Sequence, residues 1–222
     1  MFARFRKAWA SSTVPTQVSD GGLAAWANDH MLTQQRLPDG ALAVDGSLWG
    51  RPFQAGCAPS SRPYIVGMEL MARAALDLDT ASSVIVMHRS LKRVLDHLAG
   101  QMFAQTVDGL HTNDRPLPEE IVWLSTFRDV GWTGPSDAFW SRYGVLTDSV
   151  EAAREVLEPE MIAMLSEPPA GLPSEVPFLL AMTRGKLYLR MQLEAEDGGE
   201  AGHYALDALK LFSARALKCF GR

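Results

Sequence analysis

Between Lys186 and Leu193 the apolar residues Leu187, Leu189, Met191 and Leu193 alternate with Tyr188, Arg190 and Gln192. Side chains leave a strand on alternate sides, so a period of two marks a strand with one buried and one wet face. Residues 176–183 just upstream form an apolar run. Arg184-Gly185 between them is a two-residue connection in which glycine takes positive φ without steric cost. The pattern predicts a hairpin packed beneath the helical stretch that precedes it.

That stretch starts after Asp148 or Ser149, either of which can cap a helix, with Glu151 in the first turn where negative charge is favoured. Val150, Ala153, Leu157, Met161 and Met164 share one face. Pro159 removes a backbone donor, which predicts two short helices with the proline in the first turn of the second. Arg142-Tyr143-Gly144-Val145-Leu146-Thr147-Asp148, Glu151-Ala152-Ala153-Arg154, Leu157-Glu158-Pro159 and Gly185-Lys186-Leu187-Tyr188-Leu189 together resemble a bacterial domain family of unknown function. In that family a strand ending in a polar turn precedes an EAR-x-L-x-P helix and, later, a G-x-L-Y-I strand. Its members often sit behind membrane-spanning segments or beside LemA-like membrane proteins. The resemblance covers residues 142–189, about a quarter of the chain. It implies a fold element and no catalytic residue, and this chain departs from it by having no spanning segment.

Elsewhere the chain switches period repeatedly. Ser19-Asp20-Gly21-Gly22 reads as a helix start, followed by Leu23, Trp26, Ala27, His30 and Met31 on one face and closed by Pro38-Asp39-Gly40. His30 on that face is expected to be structural. Leu42 and Val44 lead into Asp45-Gly46, a hairpin dipeptide, with Leu48, Trp49 and Phe53 beyond it. Residues 57–63 read as a solvated loop, and residues 64–78 as a strand carried by Ile65, Met68, Leu70, Ala72, Ala74 and Leu76. A buried strand at 84–87 precedes a helix over 90–105, with Leu91, Val94, Leu95, Leu98 and Met102 inward. Residues 121–127 and 139–146 read as strands separated by a turn at 131–135. A last helix over 203–218 buries Ala205, Ala208, Leu209, Phe212 and Ala216. The whole predicts an α+β fold of antiparallel sheet flanked by helices. Its organisation is an N-terminal segment (1–18), a first half (19–105), a polar linker (106–120) and a second half (121–222). The halves are loosely alike and can also form a single domain.

Composition narrows function by exclusion. A net charge of −5 disfavours non-specific nucleic-acid binding, which needs clustered cations. Two cysteines, Cys57 and Cys219, are too few for a disulfide framework, and read as reduced thiols in a cytoplasmic protein. Cys57 lies near Arg51 and Arg62 in sequence, an arrangement that would lower a thiol pKa if it held in space. No apolar run reaches the ~20 residues of a membrane span. Phe2, Phe5 and Trp9, opposite Arg4, Arg6 and Lys7, form a short amphipathic pattern suited to a membrane surface.

The five histidines show no metal-ligand spacing, and no nucleophile elbow, dinucleotide fingerprint or phosphate loop occurs. No cofactor or metal is predicted. His111, Asp114, Glu119 and Glu120 are the densest group of potential ligands and read as solvated. So do Glu158 and Glu160. The remaining positive signal is aromatic: Trp123, Phe127, Arg128, Trp132, Trp140 and Arg142 are the residue types that anchor protein interfaces. The sequence therefore predicts a non-catalytic interaction or accessory protein, acting on a protein partner or as a homo-oligomer. A site assembled from distant residues, for catalysis or a small ligand, and a peripheral membrane role are the alternatives.

Overall fold

The structure is a computed structural model and describes residues 20–38, 40–108, 118–194 and 199–221. Its elements in chain order are α1 (Leu23–Asp29), β1 (Thr33–Arg36), β2 (Leu42–Leu48), β3 (Arg51–Pro59), β4 (Met68–Ala75), β5 (Val84–His88), α2 (Arg89–Asp108), α3 (Glu119–Thr126), β6 (Arg128–Val130), α4 (Asp137–Arg142), β7 (Tyr143–Thr147), α5 (Val150–Val156), α6 (Pro159–Ser166), β8 (Phe178–Thr183), β9 (Lys186–Leu193) and α7 (Glu200–Phe220). All nine strands join one antiparallel sheet, in the order β1-β2-β3-β4-β9-β8-β5-β7-β6. The chain is thus α+β. Strands from either side of residues 106–120 interleave: β4 pairs with β9, and β5 lies between β8 and β7.

Helices cover the two sheet faces unequally, and the strand sequences follow from that. The larger core lies between one face and α1, α4, α5, α6 and α7. On the opposite face α2 and α3 pack mainly over β5, β7 and β8, with Tyr188 of β9 at the margin, enclosing Ile85, Met87, Leu91, Leu95, Ile121, Trp123, Leu146, Leu179 and Ala181. Strands β5 and β8 are therefore buried on both sides and read as unbroken apolar runs. Strand β9 keeps the period of two: Leu187, Leu189, Met191 and Leu193 are buried against α7, and Tyr188, Arg190 and Gln192 lie on the other face. Arg184 and Gly185, with φ of 51° and 71°, close the β8–β9 hairpin in the left-handed region, as a two-residue primed turn requires.

The expected caps and breaks are present. Ser149 Oγ accepts from Ala152 N (3.1 Å), and Pro159 opens α6. Several expectations are corrected. The β2–β3 turn is Trp49-Gly50, both left-handed, while Asp45-Gly46 continues β2. A Cβ at Gly46 would meet the tip of the Leu32 side chain at 2.5 Å. The first helix stops at Asp29, followed by Met31 at φ 54°, and residues 33–36 are a strand. Strand β3 runs through Pro59, so Cys57 is in a strand and not a loop. Residues 121–127 are mostly helix α3, and residues 139–146 divide into the end of α4 and strand β7. Ser136 caps α4 by accepting from Phe139 N (3.2 Å). Residues 106–108 end α2, and Glu119-Glu120 begins α3. Val94, expected inside, is 46% exposed.

Candidate functional site

Two polar centres lie in the cores, one on each face of the sheet. On the larger side, His88 ends β5 with no exposed surface. Its Nδ1 is 2.6 Å from the Val176 carbonyl, which can only accept, so Nδ1 carries the proton. Arg142 Nε donates to the other nitrogen, Nε2 (3.1 Å), and Arg142 also donates to Leu172 O. Burial, helped by the Arg142 charge and opposed by the Val176 hydrogen bond, lowers the His88 pKa to about 4. The imidazole is neutral, and both nitrogens are engaged. Tyr143 and Tyr204 flank the group. Burial raises both hydroxyl pKa values, and Tyr204 donates to Met164 O (2.8 Å).

Opposite, Arg62, Glu69, Glu120 and Arg190 form a ring. Arg62 reaches Glu120 at 2.8 Å and Glu69 at 3.4 Å; Arg190 reaches Glu69 at 2.9 Å and Glu120 at 3.0 Å. The Glu120 side chain has no exposed surface, and the arginines retain 22% and 16%. Ser60 donates to the remaining Glu69 oxygen (2.8 Å). Two cations meet two carboxylates, so the ring is neutral, and it ties α3 to β4, β9 and the β3–β4 connection. The solvated turn expected around Ser60 and Arg62, and the solvated acid expected at Glu120, are corrected here.

Cys57 is buried in β3, and burial, reinforced by Asp20, pushes its thiol up to about 12, the reverse of activation by arginine. Cys219 is half-buried with a raised pKa, again chiefly from burial. Glu158 and Glu160 converge on Arg215. His30 stacks on Trp26 at 4.1 Å and lies 2.8 Å from Lys210 Nζ, a structural position. Among the described residues no group of His, Cys, Asp and Glu is placed to hold a metal. Glu119 is exposed, and His111 and Asp114 lie outside the described residues, as do Phe2, Phe5 and Trp9. No described helix is long and apolar enough to cross a membrane.

The six aromatic and arginine candidates separate around β6. Trp123 is buried in the smaller core against Tyr188 (6.3 Å between rings), and Arg142 turns inward to His88, so neither faces a partner. Phe127, Arg128, Trp132 and Trp140 remain together at the sheet edge. Trp132 and Trp140 are half-buried and meet edge to face at 5.0 Å, packed against the larger core; Phe127 packs against the smaller. Strand β6 pairs with β7 and with no other described strand. Asp129, within it, is held by Arg89 (3.8 Å) and Lys92 (3.7 Å). Two surface clefts lie elsewhere. One, of about 640 Å³, is at the β8–β9 turn and lined by Arg51, Asp77, Thr80, Arg184 and Lys186. The other, of about 570 Å³, is at the start of α7 and lined by Glu167, Glu200, His203 and Asp207.

Compared with known proteins, the chain matches no family model and no curated protein. Among solved structures it is similar to the crystal structure of the mycobacterial trehalose monomycolate transport factor A, TtfA. The match has a TM-score of 0.48 and 11% sequence identity, and covers 87% of this chain and 91% of that one.

Proposed function

We propose that the chain is a non-catalytic interaction module that receives a protein partner along β6. The observation that carries this reading is the juxtaposition of an edge strand with half-buried aromatics on both of its faces, Phe127 on one side and Trp132 with Trp140 on the other. An edge strand presents unpaired backbone groups to an incoming extended segment, and flanking aromatics supply apolar area at low entropic cost. The buried centres support the non-catalytic half of the reading. A general base needs a free lone pair facing its substrate, and both His88 nitrogens are occupied. The four charges of the ring are spent on one another.

The test places a photo-crosslinking amino acid at exposed Arg128 in the full-length protein in its native cells, with exposed Gln35 on the opposite edge strand β1 as control. The expected product at Arg128 is one defined adduct, to a second copy or to another protein, lost when Trp132 and Trp140 are both changed to Ala. Equal crosslinking from Gln35, or an adduct indifferent to the tryptophans, would overturn the assignment.

A further inference from the structure

The cleft at the β8–β9 turn is built from three places that the sheet brings to one end: Arg51 at the start of β3, residues 75–80 leaving β4, and Arg184, Gly185 and Lys186 at the turn into β9. The register fixes this, because Ala75 is opposite Lys186, and Leu76 N donates to Gly185 O (3.0 Å). Its charges are unbalanced. Arg51 is paired with Asp77 at 3.1 Å, whereas Arg184 and Lys186 have no carboxylate within ion-pair distance among the described residues. Three cations against one carboxylate leave a charge of +2 among the residues that line the cleft, on a chain whose net charge is −5. A positive recess on a negative molecule concentrates small anions without attracting polyanions at large. Thr80, which lines the recess, accepts from Ser82 N at Oγ1 (3.0 Å), and a hydroxyl that accepts still carries a proton to donate.

We propose that this cleft binds the dianionic phosphoryl group of a small phosphomonoester. A local charge of +2 matches a phosphate monoester, which carries about −1.5 to −2 near neutral pH, and exceeds what a lone carboxylate needs. Arg184 offers a planar fork that grips two phosphate oxygens, Lys186 adds a point charge, Thr80 donates a hydrogen bond, and Arg51, one end of which is held by Asp77, borders the recess. The volume of about 640 Å³ lies within the usual small-molecule range and leaves room for an organic group beyond the phosphate. The site is independent of β6: it uses different strands and none of the aromatic residues there.

Calorimetric titration of the full-length protein at low salt with inorganic phosphate, glycerol 3-phosphate and acetate tests it. The doubly changed protein Arg184→Asn/Lys186→Gln is the comparison, because asparagine tolerates the left-handed backbone at position 184. Both phosphates are expected to bind one to one, about tenfold or more weakly in the variant, with an affinity that falls as salt rises. Acetate is expected to bind at least about tenfold more weakly than either phosphate. Amide shifts at Gly185 and Lys186 on titration locate the ligand independently of the variant. Equal affinity in the variant, acetate binding as tightly as phosphate, or no binding of either phosphate in the millimolar range would overturn the proposal.

Discussion

The ring of Arg62, Glu69, Glu120 and Arg190 and the cleft of Arg51, Arg184 and Lys186 use nearly the same side chains to opposite ends. In the ring each arginine faces both carboxylates, which are almost wholly removed from water. In the cleft two cations of three face a recess. Ion pairs withdrawn from water are net neutral or costly unless every charge is matched, so the ring is a latch that holds only when complete. Unmatched charges at a surface cost little because water solvates them, so the cleft can keep its cations available to a ligand. Closure makes a structural element, and openness makes a site.

The largest effect should follow from breaking the latch. Glu120→Gln leaves Arg62 and Arg190 sharing Glu69 alone, and breaking such a pair costs about 3–5 kcal/mol. Urea denaturation should show the midpoint falling while the m-value holds; an unchanged midpoint would mean the ring is ornamental. The second effect belongs to the closed centre on the other face. His88 has a folded pKa depressed from 6.5 to about 4 by burial. The unfolded state therefore binds more protons between those values, so stability is fully present above pH 6.5 and is lost as pH falls toward 4. At ~1.4 kcal/mol per unit the loss is about 3 kcal/mol. His88→Gln should flatten the stability profile across that window relative to wild type. Parallel profiles would show that His88 is not the group responsible.

How much of this was legible depended on how local each signal is. The β8–β9 hairpin could be read because both its alternation and its turn lie within one short stretch, and because water touches one face of β9. Helix α3 has the sequence pattern of a strand because Ile121, Val122 and Trp123 carry strand propensity. What holds it helical is tertiary: Ile121 and Trp123 face the smaller core, and Glu120 is drawn to Arg62 and Arg190, far away in sequence. The ring gives no local signal at all, since its members lie at 62, 69, 120 and 190. Asp45-Gly46 suits a turn by composition, but Gly46 is not at positive φ and continues β2. At the cleft the sequence showed Arg184 and Lys186 beside a turn. Only the sheet order brings Arg51 to them, by placing β3 next to β4 and β4 next to β9. The aromatic group was visible as composition, but not its division between edge and core, because Trp123 and Trp132 lie on opposite sides of β6.

On the open side, backbone should matter more than charge. Gly185→Ala puts a Cβ on a residue at φ 71°, with the Leu78 amide at 3.3 Å, and should cost about 1–2 kcal/mol by thermal or urea unfolding. A cost near zero would show that the hairpin turn relaxes freely and does not fix the floor of the cleft.

The smallest effect discriminates best. Arg184→Asn/Lys186→Gln removes two cations that touch no carboxylate, so stability should stay within about 0.5 kcal/mol of wild type. The sign should tend toward stabilisation, because the like charges at 184, 186 and 51 no longer repel across the recess. A urea midpoint equal to or slightly above wild type, measured beside the large loss in Glu120→Gln, would establish that one cluster is spent on the fold and the other is held in reserve. A loss comparable to that of Glu120→Gln would mean the turn cations are tied into the fold as firmly as Arg62 and Arg190. The cleft would then have no charge free to offer a ligand.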